Sequence, residues 1–166
     1  GRMVYTNNDE LSIWRETGET TYPMMDGGLP TLSHSEQQWI LTTSSQFALA
    51  DLKGKIELLS FRAFHPQGRF LAQVAWSPDD NWVALRPPPT DLELDGVWLY
   101  NAGTEEKIYL GTGTTNPLWQ DSQIVLFNAT IAGELELQAY NVVTAERVKV
   151  SAPPGSIPLH FAAAGE

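Results

Sequence analysis

The residues of this 166-residue chain that could do chemistry are few and widely spread. It has no cysteine, which excludes disulfides, thiolate metal sites and cysteine nucleophiles. It carries no Gly-x-Ser-x-Gly elbow, no phosphate-cradling loop and no His-Glu-x-x-His pair. The three histidines, His34, His65 and His160, stand far apart, and a zinc site built on them lacks a clear further ligand. The segment Asp91-Leu92-Glu93-Leu94-Asp95-Gly96 sets carboxylates at alternate positions before a glycine, as in the first half of a calcium loop. The twelfth position counted from Asp91 is Ala102, not a bidentate Glu, so an EF-hand loop is excluded and the segment reads as a solvated acidic loop. The expectation is a protein that is not an enzyme, with no catalytic residues, no cofactor and no metal.

Charge narrows the partners. Ten Lys and Arg against twenty Asp and Glu give a net charge of −10. That balance excludes nucleic-acid binding through a basic footprint and electrostatic attachment to anionic lipid. The longest apolar runs, such as Ile124-Val125-Leu126-Phe127, are about four residues, too short for a membrane span or a signal core. The chain opens on Gly1 rather than Met, which reads as a processed chain or a piece of a longer one.

The elements that must position any site are strands. Short runs such as Met3-Val4-Tyr5, Trp39-Ile40-Leu41 and Val97-Trp98-Leu99-Tyr100 are rich in β-branched and aromatic residues. Clusters of Gly, Pro, Asn, Asp and Thr separate them, and thirteen glycines and eleven prolines argue against long helices.

The runs repeat. The segments at 32–41, 75–85 and 118–127 each read as a short strand, a polar turn and a second apolar strand, with Ser33, Trp76 and Trp119 taken as equivalent. A third strand follows in Gln46-Phe47-Ala48-Leu49, Val97-Trp98-Leu99-Tyr100 and Glu136-Leu137-Gln138-Ala139-Tyr140. A fourth follows at 56–61, 107–110 and 147–150. Four strands in about 40–45 residues is the period of a propeller blade. The first residues supply the second to fourth strands of a further blade, at 3–6, 10–15 and 20–24. The tail at 156–161 reads as its first strand. The predicted fold is an all-β propeller of four four-stranded blades in one domain, closed by pairing of the N- and C-terminal strands. The blades are 157–166 plus 1–28, 29–70, 71–115 and 116–156. The alternative is an open fragment of a larger propeller.

The stretch Val74-Ala75-Trp76-Ser77-Pro78-Asp79-Asp80-Asn81-Trp82-Val83-Ala84 resembles the Trp-Ser-Pro-Asp-Gly signature of TolB/tricorn-type propeller repeats, which also occur in prolyl-oligopeptidase-like enzymes. Pro presets φ in the turn and Asp bonds its own backbone. The glycine of the signature is replaced by Asp80 or Asn81, residues that tolerate positive φ next best. Gln120-Asp121-Ser122 is a degraded copy, and Ser35-Glu36-Gln37 a fainter one. Phe64-His65-Pro66-Gln67-Gly68 looks like the signature too, but lies too close to Trp76 for a blade start and reads as a loop. The resemblance implies a module that is often extracytoplasmic, periplasmic or secreted; the sequence leaves the compartment unknown.

On that fold His34 and His160 fall at the ends of inner strands, and the recurring aromatics Trp14, Trp98, Tyr100 and Tyr140 read as core between blades. Trp76, Trp119, Trp98 and Tyr140 are expected to be largely buried. One connection stands out: 86–95, with Pro87-Pro88-Pro89, is longer than its counterparts at 42–46 and 128–134. It shares an end of the blades with the long links at 26–30, 62–70, 111–117 and 151–158. Function on rigid β scaffolds concentrates on such loops, and consecutive prolines lower the ordering cost of binding. The candidate partner-binding residues are Arg86, Asp91, Glu93, Asp95, His65 and Asn116. The expected function is non-catalytic binding of a protein, or of another part of the same chain, through this loop face. The alternatives are a propeller that gates or docks a larger hydrolase, and a lectin-like binder of sugars or small molecules.

Overall fold

Among the described residues, short apolar runs between turn-forming residues form strands, and there is no helix. The computed structural model describes residues 2–7, 10–15, 17–23, 29–42, 46–51, 56–62, 73–86, 96–112 and 117–151. The chain divides into two compact units, Gly1–Arg69 and Phe70–Glu166.

Unit one holds two sheets. Strands β1 (Arg2–Asn7), β2 (Glu10–Arg15) and β3 (Gly18–Pro23) form an antiparallel meander in the order β1-β2-β3. Strands β4 (Leu29–Leu32), β5 (Gln38–Thr42), β6 (Gln46–Asp51) and β7 (Ile56–Arg62) form a four-stranded one in chain order. Trp39, Ile40 and Leu41 are consecutive and all buried, so β5 is covered on both faces. Trp39, Leu41, Ala48 and Ala50 cluster on one of them, with Leu32 against them.

Unit two repeats the plan twice. Strands β8 (Gln73–Trp76), β9 (Trp82–Arg86), β10 (Val97–Asn101) and β11 (Lys107–Gly111) make one meander. Strands β12 (Leu118–Trp119), β13 (Ile124–Ile131), β14 (Glu134–Asn141) and β15 (Arg147–Lys149) make the next. Trp82, Ala84, Val97, Leu99 and Leu110 of the first sheet pack with Trp119, Val125, Phe127 and Ala129 of the second in one cluster. Trp119 Nε1 donates to the Ala75 carbonyl at 2.9 Å, so the indole both fills this seam and bonds across it. Of the aromatics expected to be buried, Trp76 and Trp119 are, and Trp98 and Tyr140 are half-buried. Trp98 lies against Tyr109 with ring centroids 4.8 Å apart, and Tyr140 packs on the core cluster.

Two expectations need correction. Ser33 is not the counterpart of Trp76: Ser33 N bonds the Gln38 carbonyl as Ser77 N bonds that of Trp82, so Leu32 matches Trp76 and the register moves by one. Because side chains alternate along a strand, that single step exchanges the two faces. Residues 128–134 are not a loop. Asn128 to Ile131 continue β13, Glu134 opens β14, and only Ala132 and Gly133 turn the chain, at φ 51° and 87°. The closing strand expected at 156–161 lies outside the described residues; β1, its expected neighbour, is at one edge of its described sheet.

Candidate functional site

In unit two the first-to-second and third-to-fourth strand connections share one end of each sheet, called here the turn end. It is built by short-range chemistry. Ser77 Oγ donates to Asp79 Oδ1 at 2.6 Å and accepts from Trp82 N at 2.9 Å, closing the β8–β9 turn around a buried hydroxyl. Partial burial pushes the Asp79 carboxyl up, but hydrogen bonds from Ser77, the Asn81 side chain and the Asn81 amide outweigh it and hold it below its ordinary value. Asp80 takes φ 60°, so it is Asp80 that occupies the glycine place of the signature. The β4–β5 turn of unit one has the same build with different residues. Glu36 takes φ 62°, and Ser33 Oγ bonds Ser35 Oγ and accepts from Gln38 N. His34, exposed, stands where Pro78 stands.

The third-to-fourth connections are also alike. Asn101 Oδ1 accepts from Gly103 N and Thr104 N, both at 2.9 Å, and Asn141 Oδ1 accepts from Val143 N and Thr144 N. Each turn then donates to its neighbour in the same sheet: Ala102 N to the Asn81 carbonyl, Val142 N to that of Gln123.

The opposite end, the loop end, is where the candidate residues fall. Arg86 closes β9, half-buried, and its Nη1 donates to Oε1 of the paired Gln73 at 3.3 Å. The structure thus ties Arg86 into its sheet. Asp91, Glu93, Asp95, His65 and Asn116 lie outside the described residues. The anchors of the 87–95 link are described. At Gly96 (φ 135°) a Cβ would stand 2.4 Å from the Gly111 carbonyl oxygen, and Gly111 itself has φ 107°. The β10–β11 register slips between Val97 and Trp98 at this point. Thr130 N donates to the Thr112 carbonyl at 2.9 Å, joining the end of the first sheet to the β13–β14 hairpin of the second. Beyond that bond the hairpin tip is exposed from Ile131 to Glu134, with Ile131 41% accessible.

A second group also bridges the sheets here. Arg147 Nη1 donates to the Leu110 carbonyl at 2.8 Å, its Nε lies 3.4 Å from Gln138 Oε1, and its guanidinium sits 5.1 Å from the Phe127 ring centre. No local pattern marks Arg147, because its partner Leu110 lies on another sheet. The hairpin left a weak one in Ala132-Gly133, a turn dipeptide without the Asn or Asp that usually announces it.

Four-stranded meanders, one docked on the next through an apolar seam, are propeller blades. Similar solved structures have the same fold. TolB from Acinetobacter baumannii is 17% identical with a TM-score of 0.52, over 88% of this chain and 39% of that one. The tricorn protease is 8% identical with a TM-score of 0.66, over 92% of this chain and 16% of that one. The acylaminoacyl peptidase of Pyrococcus horikoshii is 12% identical with a TM-score of 0.53, over 90% and 30%. The chain therefore resembles the TolB/tricorn-type β-propellers, and spans well under two thirds of each of these proteins. No protein-family model and no curated protein matches the sequence.

Proposed function

We propose that this chain is a non-catalytic β-propeller module that binds a protein partner, or another part of its own chain, through the loop end of its blades. The observation that carries the reading is the contrast in construction at that end. A hairpin with an exposed tip stands at a junction fixed by three contacts, Gly96 on Gly111, Thr130 to Thr112 and Arg147 to Leu110, and the acidic, proline-rich sequence 87–95 directly precedes Gly96. Rigid anchoring lowers the entropy lost on binding. With Asp91, Glu93 and Asp95 on the link and Glu134 at the tip, in a chain at −10, the partner presents a basic patch around an apolar contact for Ile131.

The test is a pull-down with the wild-type domain, an Asp91→Asn/Glu93→Gln/Asp95→Asn variant and an Ile131→Ser variant, at two salt concentrations. The expected result is a partner whose capture falls as salt rises and is lost from the triple variant, with thermal stability unchanged because exposed charges contribute little to folding. Equal recovery of every protein by all three forms overturns the reading.

The likeness to the tricorn protease and to an acylaminoacyl peptidase favours a second reading, a propeller that gates or docks a hydrolase. An α/β-hydrolase domain in the same reading frame is the result that would select it.

A further inference from the structure

We propose that Arg147 is the positioning residue of the loop end: from the second sheet of unit two it holds the Gly96–Gly111 junction of the first. The inference rests on the binding reading above and adds what sets the geometry of that site.

The link enters β10 through Gly96, and Gly96 lies directly on the Gly111 carbonyl, with no room for a Cβ. The position of Gly96 is therefore set by the Leu110-Gly111 backbone. That backbone is the last stretch of β11, the edge strand of its sheet, and has one ladder partner only. Arg147 supplies a hold from the other side. Its Nη1 donates to the Leu110 carbonyl, and Nη1 and Nη2 lie 3.9 and 4.0 Å from where a Gly111 Cβ would stand. A Cβ at 111 would meet the guanidinium at ordinary contact distance but would strain the backbone at φ 107°.

Arg147 is itself steered. Gln138, 5% exposed, accepts from Arg147 Nε through Oε1 and donates through Nε2 to Glu136 Oε2 at 2.7 Å. The other Glu136 oxygen takes the Lys149 ammonium at 2.6 Å. An amide with an acceptor bond at one end and a donor bond at the other cannot flip without losing both. The row Lys149–Glu136–Gln138–Arg147–Leu110 thus fixes the guanidinium plane, and the Phe127 ring below it fixes its height. A lysine at 147 could reach the carbonyl but could not hold Gln138 at the same time.

The experiment is amide hydrogen exchange on the whole chain without any partner, comparing wild type with Arg147→Met, Arg147→Lys and Gln138→Leu. Arg147→Met keeps an aliphatic stem of similar length and removes the donors. A lost charge-assisted bond should speed exchange in 96–100 and 108–112 by about five- to tenfold, and leave 73–86 within about twofold of wild type. Arg147→Lys should fall between the two. Gln138→Leu leaves Arg147 present but unsteered, and should give the same pattern at about two- to threefold. It carries the test if Arg147→Met fails to fold. Equal acceleration across unit two in the variant that folds would make the residue merely stabilising and overturn the proposal. So would wild-type exchange at 96–100. The Asp91/Glu93/Asp95 triple variant should exchange like wild type throughout, so a failure of the binding reading leaves this result standing.

Discussion

At the turn end of unit two, Ser77 serves the Trp82 amide and Asn101 serves Gly103 and Thr104, each side chain satisfying backbone within five residues of itself. At the loop end, Gly96 just before β10, Gly111 from β11 and Arg147 from β15 meet from two sheets. The first arrangement can be copied from blade to blade with different residues, as the Ser33–Gln38 turn of unit one demonstrates. The second cannot, because each contact depends on a partner far along the chain. A repeat fold thus keeps its regularity where bonds are local, and carries what is particular to one chain where they are not.

The largest expected effect tests the loop end. Gly96→Ala places a methyl group 2.4 Å from the Gly111 oxygen at a φ that disfavours side chains, and should destabilise by about 3 kcal/mol or more in urea unfolding. A loss under 1 kcal/mol would mean that the junction yields readily, removing the contrast between the ends. Ser77→Ala tests the turn end. It strips an acceptor from a buried amide and should cost about 1–2 kcal/mol in the same assay. Ala145→Gly sharpens the comparison in the opposite direction. Ala145 sits at φ 56° in the Asn141 turn, so glycine should stabilise by about 0.5–1 kcal/mol, read as a raised urea midpoint. No gain there would show that the turn end is not locally determined.

The smallest effect is a pH dependence. The folded Asp79 pKa is lowered, so its contribution is present above its unfolded value of 3.8 and is lost as pH falls below that, through the folded value. Asp79 is exposed, and solvent screening keeps the effect small. Between pH 6 and pH 3 the urea midpoint of wild type should fall slightly further than that of Asp79→Asn. An equal fall in both would detach this carboxylate from the turn.

What was legible follows from the same division. The four-strand period, the Trp76-Ser77-Pro78-Asp79 turn and the strand positions could be read because residues near in sequence determine them. The sequence pairs Ser33 with Trp76 only by their place before a polar turn; the turn hydrogen bond, invisible in sequence, decides that Ser33 matches Ser77. The β13–β14 hairpin reads as a loop in sequence because Asn128 and Thr130 break the apolar run. Asn128 is in fact buried, and Thr130 N bonds the neighbouring sheet. Of the candidate residues, Arg86 is placed at the loop end and held by Gln73, a pairing that only strand register reveals. Arg147 was out of reach of any local pattern.

The meander order of every sheet also sets the timing of folding. Among the described strands, partners are consecutive in the chain, so each described sheet closes only short loops and can form early. Of the bonds that join the two sheets of unit two, Trp119 to Ala75 and Arg147 to Leu110 span 44 and 37 residues, and such long closures are expected to follow formation of the sheets themselves. Substitution of Trp119 should therefore leave the refolding rate of unit two nearly untouched and hasten its unfolding, the kinetic mark of a contact made after the barrier. The seam that unites the blades would then act as a brake on their separation, and the lifetime of the native state would be set there rather than in the strands.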